Sequence, residues 1–499
     1  MALSLPTFSA AAFTSSDIYF WLFITITAIC WLIYKLTYWQ RQGIPNDIAS
    51  LWNRWTQPFH ESDTQAYFKY GRTVGMYEFL QPVLMCGDAE LVKEILVKRF
   101  NTFPNHRFYG GINQIGGKSI FVLKLEQWKR VRSIVSPTFT ASKLKAMQGQ
   151  ISEAIDTLVD NINEAALNNR SINVKNFLLS FTLDTFSACA FGVKVDSLRD
   201  PDNPLVANSK KLFNTNINWF SLIAFQCPSM APIGSLFNLS IFDSSALHYF
   251  GQLILGLISK RHELQVKRVD FVQLLQEAEI IDSSAAEQFT KRKLTLDEIV
   301  DQALIFLIAG HDTTATTLSM LLYTLSRHPT IQQKLIDELS GLTDEECQDW
   351  DRIKSLPYLD AVVSEILRYC PPVPRVERRT SEPCEFAGMN LKAGQLITIP
   401  VHAMHHDPEY FPEPHLFKPE RFLPEARDQN NLTAYLPFAY GPRSCIGTRF
   451  AFMEIKFCLV KIFRRFRFVQ CDQTKDELEY YRGQLVTTAK EIILKPIKL

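Results

Sequence analysis

The sequence has little of what marks several large classes of protein. Its 53 basic and 52 acidic side chains almost cancel, so no overall positive field favours nucleic acid as a partner. None of the ten cysteines forms a Cys-x-x-Cys pair, which argues against a zinc module and against a disulfide scaffold. Internal repeats, low-complexity tracts and long linkers are also missing. These absences favour one large body in a reducing compartment, since 499 residues with 46% apolar side chains can bury a large core.

A long uncharged run lies close to the N-terminus. Residues 18–34 carry no charge, and as a helix they would span roughly 25 Å, at the low end for crossing a bilayer. Lys35 and Arg41 follow the run, which by the positive-inside rule leaves the rest of the chain in the cytosol. Aromatic side chains at both ends resemble a membrane-interface belt: Tyr19, Trp21, Trp31, Tyr34, Tyr38 and Trp39.

Three interpretations of this run remain open. A cleaved signal peptide would have a basic segment before the run and a small-residue cleavage site after it, and the sequence has neither. A buried core helix does not fit a position so close to the end of the chain. We therefore favour an uncleaved membrane anchor.

The periodicity of the chain predicts a mainly α fold with small β-sheets. Amphipathic patterns predict helices over 141–168, 246–264, 296–327 and 330–340, while β-like runs such as 395–404 appear mainly late. The predicted organisation is a short lumenal N-terminus (1–17), a transmembrane anchor (18–34), a hinge (35–45) and a single large domain (46–499).

The predicted helix over 296–327 has an unusual centre. Thr295 and Glu298 fit a capping box at its start. The helix is apolar nearly all round and should cross a core, yet its middle reads AGHDTT, where a buried Asp312 is costly without a partner. Either the helix kinks locally and Asp312 is solvated, or a hydroxyl and a carboxylate face a cavity at a functional break.

Cys445 stands in a setting that suits a metal-bound thiolate. Gly441 and Gly447 would let backbone N–H groups approach the sulfur, and Arg443 could pair with a nearby anion. One thiolate cannot hold a structural zinc, which needs about four ligands. It can be the axial ligand of a haem, whose macrocycle supplies the other nitrogens. The alternative is a buried structural cysteine in a turn.

The run PFAYGPRSCIG, residues 437–447, matches the F-x-x-G-x-R-x-C-x-G signature of the cytochromes P-450. The sequence resembles that family over about residues 45–499, because four further family elements occur in the family order: WKRVR, AGHDTT, EILR and FKPERF. The runs WKRVRSIVSPTFT and PRVERRT are similar to the vertebrate drug-metabolising 3A group and its wider clan. The resemblance implies a single P-450-type haem domain.

The resemblance also implies roles for individual residues. Haem b would be held by Cys445 as axial ligand, by Phe438, and around its propionates by Arg107, Trp128, Arg132, Arg378 and Arg443, with Arg375 as an alternative to Arg378. A structural charge cluster would consist of Glu365, Arg368 and Arg421. Asp312 and Thr313 would deliver protons during dioxygen activation.

The implied activity is haem-thiolate monooxygenation of a lipophilic small molecule at the endoplasmic reticulum membrane. Electrons would come from NADPH through cytochrome P-450 reductase, with cytochrome b5 as a second candidate partner. Two alternatives remain: a haem-thiolate isomerase that acts on peroxides without a reductase, and a haem-binding sensor or carrier without turnover. The presence of the Asp312–Thr313 pair favours monooxygenation.

Three further expectations concern the pocket walls, the surface that docks the reductase, and the histidines. The pocket walls are expected from the loops 108–124 and 212–230, whose first member contains four glycines typical of a mobile gate, and from Phe306, Ile308, Ala309 and Val373. Reductase docking is expected at Lys129, Arg130, Lys456 and Lys461, unless these are only solvated helix faces. No chemistry is assigned to His311, and structural packing is expected for His402, His405 and His406.

Overall fold

The computed structural model describes residues 15–78, 80–107, 116–213, 242–279, 292–429 and 431–499. The α-helices in these ranges are α1 Ser15–Leu36, α2 Ser50–Thr56, α3 Phe59–Tyr70, α4 Ala89–Lys93, α5 Leu125–Val135, α6 Ala141–Ala146, α7 Gln148–Leu167, α8 Val174–Phe191, α9 Pro204–Leu212, α10 Ser244–Leu264, α11 Phe271–Glu277, α12 Leu296–Arg327, α13 Pro329–Ser340, α14 Trp350–Ile353, α15 Pro357–Tyr369, α16 Val401–His405 and α17 Thr448–Phe463.

The strands are few and short. They are β1 Asn46–Asp47, β2 Thr73–Glu78, β3 Gln81–Cys86, β4 Ile172–Asn173, β5 Val376–Arg379, β6 Cys384–Phe386, β7 Met389–Leu391, β8 Leu396–Ile399, β9 Phe466–Val469 and β10 Ile493–Lys498. The predicted fold class, mainly α with small β-sheets, is therefore confirmed.

The strands form three sheets. The largest has the order β1-β2-β3-β8-β5, in which β3 and β8 are parallel and β5 and β8 antiparallel. A second sheet has the order β4-β10-β9, and β6 pairs with β7. The run 395–404 is only half strand, because Pro400 follows β8 and the short helix α16 begins at Val401.

The central helix α12 crosses the helical core. Its start has the predicted capping box, since the Thr295 side chain accepts from the Glu298 N–H and Glu298 accepts from the Thr295 N–H. It packs along α8, where a side chain at Gly310 would collide with the ring of Phe186. Gly310 therefore serves close helix packing, and the helix continues without interruption through Asp312 to Arg327.

Among the described residues, two helices are long and apolar enough to cross a membrane. In the apolar stretch of Ile18–Leu36 no residue is buried, as an anchor requires, whereas 67% of the apolar stretch of α12 is buried, so α12 is a core helix. Residues 1–14 of the predicted lumenal N-terminus lie outside the described residues.

The junction after the anchor differs from the expected belt in one respect. Trp39 is fully buried rather than at a membrane interface, and its indole N–H donates to the carbonyl of Met76 at 3.0 Å. Gly75 lies directly beneath this ring, where a side chain would collide with it. The chain between anchor and domain is thus part of the domain core.

Candidate functional site

Cys445 lies in a tight loop immediately before α17. Its N–H donates to the carbonyl of Phe438 at 3.0 Å, and the Ser444 N–H donates to the carbonyl of Gly441 at the same distance. Gly441 has φ +82°, and a side chain there would collide with the carbonyl of Leu96. Cys445 itself is exposed. Among the described cysteines, the only other exposed one is Cys30 in the anchor. The loop thus presents the sulfur for bonding.

The groups around the sulfur act in opposite directions on the pKa of the Cys445 thiol. Although one side of Cys445 is accessible, the protein atoms packed around the sulfur desolvate it and raise the pKa of the thiol, while the N–H groups of Gly447 and Thr448, the Thr448 hydroxyl and the Arg132 guanidinium lower that pKa. The start of α17 adds its positive end. A side chain at Gly447 would meet the sulfur only at an ordinary 4.0 Å, so close approach is required at Gly441 and not at Gly447. Donors aimed at one sulfur suit an anionic metal ligand.

A cluster of cationic groups lies near this loop. The guanidinium of Arg443 sits 4.6 Å above the ring of Trp128 and donates to the carbonyl of Leu123 at 2.6 Å. Burial lowers the pKa of Arg443 to about 9, with further lowering by Arg378 and Arg132, and burial lowers that of Arg378 to about 10. The cluster holds mutually repelling charges, which nearby carboxylates would stabilise.

The donors of this cluster fit the carboxylates of a haem. Nε of Arg378 and both Nε and Nη1 of Arg443 are buried and have no hydrogen-bond partner in the described part of the chain. Leaving such charged donors buried and unpaired is costly. Two propionate groups would supply the missing acceptors, so the residues present fit haem.

His106 joins this cluster in place of Arg107. The ring of His106 stacks on Phe121 with centroids 5.0 Å apart, and its Nδ1 lies 3.2 Å from Nη1 of Arg378. Burial, then Arg378 and Arg443, lower the pKa of His106. The family signature gave no reason to single out His106, because motif matching cannot tell which of two adjacent side chains points inward.

The expected propionate role of Arg107 is wrong for this structure. Nε and Nη2 of Arg107 bind both carboxylate oxygens of Glu377 at 2.7 Å, and Nη2 binds Glu78 at 2.9 Å. These carboxylates already satisfy the guanidinium, so it has no reason to turn toward a propionate.

Arg375 belongs to the same acidic network as Arg107. Its Nη2 lies 2.8 Å from Asp63, and its guanidinium sits 3.8 Å above the ring of Phe59. Successive residues along β5 alternate between the two faces of the sheet, so residues 375 and 377 share one face and Arg378 takes the other. Of the two alternatives, the geometry favours Arg378 for the haem side.

The structure brings Glu365, Arg368 and Arg421 together. Both oxygens of Glu365 accept from Arg368, at 2.8 and 2.9 Å, and Arg421 lies 3.5 Å away. Arg368 also donates to the carbonyls of His405, Pro414 and Leu416. Because Glu365 and Arg368 are fully buried, the pair ties α15 to the chain that leads toward Cys445.

Between Glu298 and Leu325, one stripe of α12 stays accessible, whereas the other residues except Gly310 are buried. It contains Ile305, Ile308, Ala309, Asp312 and Thr313, whose spacing of three and four residues puts them on one face. The Thr313 hydroxyl donates to the carbonyl of Ala309 at 2.6 Å. The half of the helix that faces away from this stripe packs in the core.

Asp312 has polar partners at the edge of the stripe. The Thr488 hydroxyl lies 3.4 Å from its Oδ2. Burial raises the pKa of Asp312, against the opposing influences of Lys175, Thr488 and Thr316. A carboxyl group whose pKa is raised in this way is suited to hold and pass on a proton.

The pocket residues are placed differently from one another. Phe306 is wrong as a pocket residue, because it is buried between the rings of Phe139 at 5.0 Å and Phe271 at 5.6 Å. Ile308, Ala309 and the half-buried Val373 are accessible. The pattern alone missed Ile305, since a helix that is apolar all round does not reveal which stripe faces a cavity. Residues 108–115 and 214–230 of the expected pocket loops lie outside the described residues.

The four predicted docking cations are all paired with carboxylates. Lys129 pairs with Glu126 at 3.2 Å, and Arg130 pairs with Glu298. Lys456 and Lys461 are buried, with Asp360 and Asp156 each at 2.7 Å. These two are therefore wrong as surface residues. Arg449, in the first turn of α17 after Cys445, is exposed and has no ion pair within the described residues.

The histidines act as packing groups. His405 donates from Nδ1 to the carbonyl of Arg368, and its Nε2 accepts from the Leu436 N–H at 2.8 Å. His311 contacts the Thr182 hydroxyl at 2.8 Å, and burial lowers its pKa to about 3. No three metal-ligating side chains converge anywhere in the described ranges.

The sequence analysis missed a buried acidic residue that lies behind α12. Glu454 of α17 is fully buried, and burial raises the pKa of its carboxyl group to about 8. The hydroxyls of Thr185 and Thr314 lie beside it and offset part of this effect, although neither oxygen has a hydrogen bond of normal geometry. The sequence offered one signal for Glu454: an acidic residue stands at a position where the helix pattern has apolar side chains.

We predict that Arg378→Ala speeds loss of haem to an acceptor such as apomyoglobin by about 10-fold, because a charged hydrogen-bond donor to a propionate is removed. The matched control is Arg379→Ala. Arg379 is the next residue of β5, and its Nε donates to the carbonyl of Gly394 at 3.0 Å. Equal rates for the two variants would contradict the assignment.

We predict that Glu454→Gln flattens the pH dependence of stability. The folded state holds this proton more tightly than the unfolded chain, whose glutamate has its ordinary value of 4.5. Stability is therefore lost as pH rises from about 4.5 through about 8, by at most about 1.4 kcal/mol per pH unit. Thermal unfolding should show nearly equal midpoints at pH 4, below the start of this window, and a higher midpoint for the variant at pH 9. Parallel curves for the two proteins would refute this account of Glu454.

Comparison with known proteins agrees with the geometry. The family model described as Cytochrome P450 matches residues 43–496. The chain is 36% identical to Cytochrome P450 3A2 of Rattus norvegicus over 87% of this chain and 86% of the relative. It is 34% identical to Cytochrome P450 3A11 of Mus musculus over 96% of both chains. It is 36% identical to Lithocholate 6-beta-hydroxylase of Mesocricetus auratus over 87% of this chain and 86% of that protein.

The match covers nearly the whole domain, and it includes the loop of Cys445 and the central helix α12. The chain therefore belongs to the cytochrome P450 family and is a haem-thiolate monooxygenase with an N-terminal apolar helix suited to membrane anchoring.

Proposed function

We propose that this monooxygenase acts on a lipophilic small molecule and receives electrons from NADPH through a membrane-bound reductase. The observation that carries the proposal is the single accessible stripe of α12, where apolar side chains stand beside Asp312 and Thr313. Apolar walls with a few polar groups are typical of sites for lipophilic ligands. One relative is named as a hydroxylase of lithocholate, which supports insertion of oxygen into such a molecule.

The proposed cofactor residues are those of the thiolate loop and the cationic cluster. Cys445 would bind the haem iron through its thiolate, beside Phe438, which packs against Phe452 at 5.5 Å, and the propionates would be held by Trp128, Arg132, Arg378, Arg443 and His106. Bound haem with a thiolate ligand supplies the activation of dioxygen. The domain would span 46–499, behind a lumenal end (1–17), an anchor (18–34) and a junction (35–45).

The proposed roles of Asp312 and Thr313 concern protons. Thr313 presents its hydroxyl oxygen to the cavity while its hydrogen is directed to the carbonyl of Ala309. That oxygen can hold a water molecule, and Asp312 can take a proton from the side of Thr488 and release it into the stripe. A peroxide isomerase needs no such proton delivery, so the pair favours monooxygenation over isomerisation and over a carrier without turnover.

We predict that Asp312→Asn keeps the carbon monoxide difference spectrum of the reduced protein and lowers NADPH-dependent product formation by about 100-fold, the scale of general acid catalysis. The full-length protein is assayed in membranes with NADPH and cytochrome P-450 reductase, beside Cys445→Ser. The red-shifted Soret band should be lost only in Cys445→Ser. Rearrangement of an organic peroxide by the wild type, together with no NADPH consumption in the presence of reductase and a lipophilic substrate, would overturn the proposal in favour of the isomerase.

The proposed location is the endoplasmic reticulum membrane, with the domain in the cytosol. Lys35 and Arg41 after the anchor support this orientation by the positive-inside rule. A reductase, with cytochrome b5 as a second candidate, would then approach the side of Cys445 by electrostatic steering.

We predict that Arg449→Glu raises the reductase concentration needed for half-maximal turnover by several-fold, whereas Lys456→Ala leaves it unchanged. Arg449 is exposed in the first turn after Cys445, while Lys456 is buried against Asp360. The effect of Arg449→Glu should shrink at high ionic strength, because exposed charges are screened by salt. An unchanged reductase requirement would remove Arg449 from the docking surface.

A further inference from the structure

A second acid, Asp301, lies on α12 outside the reacting pair. It is 4% exposed, and it stands one turn before Ile305, at the end of the accessible stripe nearest the start of the helix. Burying a carboxylate there is costly unless it is well paired. Its partners are therefore informative about what this end of the stripe does.

Asp301 binds backbone and not a cation. Its Oδ1 accepts from the N–H of Gly116 at 2.7 Å, and its Oδ2 accepts from the N–H of Lys118 at 2.7 Å. Burial raises the pKa of Asp301, and these two N–H groups together with the Lys118 charge oppose that effect. One carboxylate thus holds two alternate residues of a loop.

Gln302, the next residue of α12, holds the same loop. Its Oε1 accepts from the N–H of Ile120 at 2.7 Å, and its Nε2 donates to the carbonyl of Lys118 at 2.8 Å. Gln302 is fully buried, so these bonds do not compete with bulk water. Four short hydrogen bonds from two adjacent side chains therefore fix the segment 116–123 on the central helix.

The segment 116–123 connects this point to the haem side of the site. Phe121 stacks on His106, and the carbonyl of Leu123 accepts from Arg443. Gly116 begins the segment with φ +96°, a backbone region that favours glycine. The segment therefore runs from the start of the accessible stripe of α12 to the cationic cluster. It forms one continuous wall that joins these two parts of the site.

We propose that Asp301 and Gln302 are positioning residues that fix the segment 116–123 as the closed end of the substrate cavity. The hydrogen bonds of Asp301 and Gln302, here called the clamp, hold this segment over α12 where the accessible stripe stops, one turn before Ile305, so that a bulky ligand can pack against a fixed wall there. This proposal rests on the proposed function only in assuming that the stripe faces a lipophilic ligand.

The proposal also qualifies the mobile gate expected from four glycines in the loop 108–124. The part from Gly116 onward is held by buried side chains of α12, and its glycine at 116 serves the turn that directs the N–H to Asp301. In this part of the loop, ligand affinity therefore depends on the hydrogen bonds of Asp301 and Gln302 and not on the number of glycines.

The first test measures the loop without any substrate. Hydrogen exchange of peptides covering 116–123 is compared in the full-length wild type, Asp301→Ala, the milder Asp301→Asn, and the control Asp297→Ala. Asp297 lies one turn earlier on α12 and forms only an exposed ion pair with Lys118 at 2.5 Å. Exchange should rise by about 10-fold or more in Asp301→Ala, less in Asp301→Asn, and not at all in the control.

The second test measures the cavity with two haem ligands of different size. Imidazole reports the iron and its thiolate, whereas the bulky clotrimazole must also fit the cavity, and both bind without NADPH. Asp301→Ala should weaken clotrimazole by about 10-fold and imidazole by less than about twofold, so that the ratio of the two dissociation constants changes. A variant that is merely less stable would keep the ratio.

Either of two results would overturn the proposal: unchanged exchange across 116–123, or equal weakening of both azoles, which would place the effect at the haem. The monooxygenase proposal fails separately, by absence of NADPH consumption in the wild type. The exchange and azole results for Asp301 would then still stand by themselves.

Discussion

Two carboxylates on the central helix, the buried Asp301 and the half-buried Asp312, are wholly or partly removed from water, and the cost of that desolvation shapes the structure around the site. Asp301 is paired with backbone N–H groups of the segment 116–123, whereas Asp312 has only hydroxyl groups and the more distant Lys175. The first arrangement satisfies the charge and fixes a wall. The second leaves the charge poorly satisfied, which suits a group that must gain and lose a proton. In the proposed arrangement, the same helix would supply the closed end of the stripe through Asp301 and its proton-carrying carboxyl group through Asp312.

The buried arginines show the same division between satisfied and unsatisfied charge. Arg54, Arg107 and Arg375 lie among the carboxylates of Asp63, Glu78 and Glu377, so this network is balanced within the chain. Among the described residues, Arg378 and Arg443 have no carboxylate partner; they donate to the backbone carbonyls of Glu377 and Leu123 and lie beside His106, Trp128 and Arg132. Strand β5 separates the two sets, because its alternating side chains send Glu377 to one and Arg378 to the other. A binding site for an anion thus arises beside a network that would otherwise neutralise it.

How far the site could be predicted depended on whether its parts are contiguous in sequence. The loop of Cys445, the capping box of α12 and the Glu365–Arg368 pair are local patterns, and their partners lie within a few residues. The direction in which a side chain points was harder to predict. Phe306 fits an apolar pattern on any face of α12, and only packing against Phe139 and Phe271 excludes it from the stripe. Lys456 and Lys461 read as surface cations because their partners, Asp360 and Asp156, come from distant helices.

The same limit applies to the junction with the membrane anchor, where the structure supplies what the sequence pattern left open. Trp39 follows the last residue of α1 by only three positions, and although residues 18–34 are exposed, Trp39 is locked in the core above Gly75. The Tyr77 hydroxyl also donates to the carbonyl of Leu36, the last residue of α1, at 2.5 Å. The anchor therefore cannot swivel freely on residues 35–45, because its end is bonded to β2. If α1 serves as the proposed anchor, these contacts and not a flexible hinge would set the tilt of the domain against the bilayer.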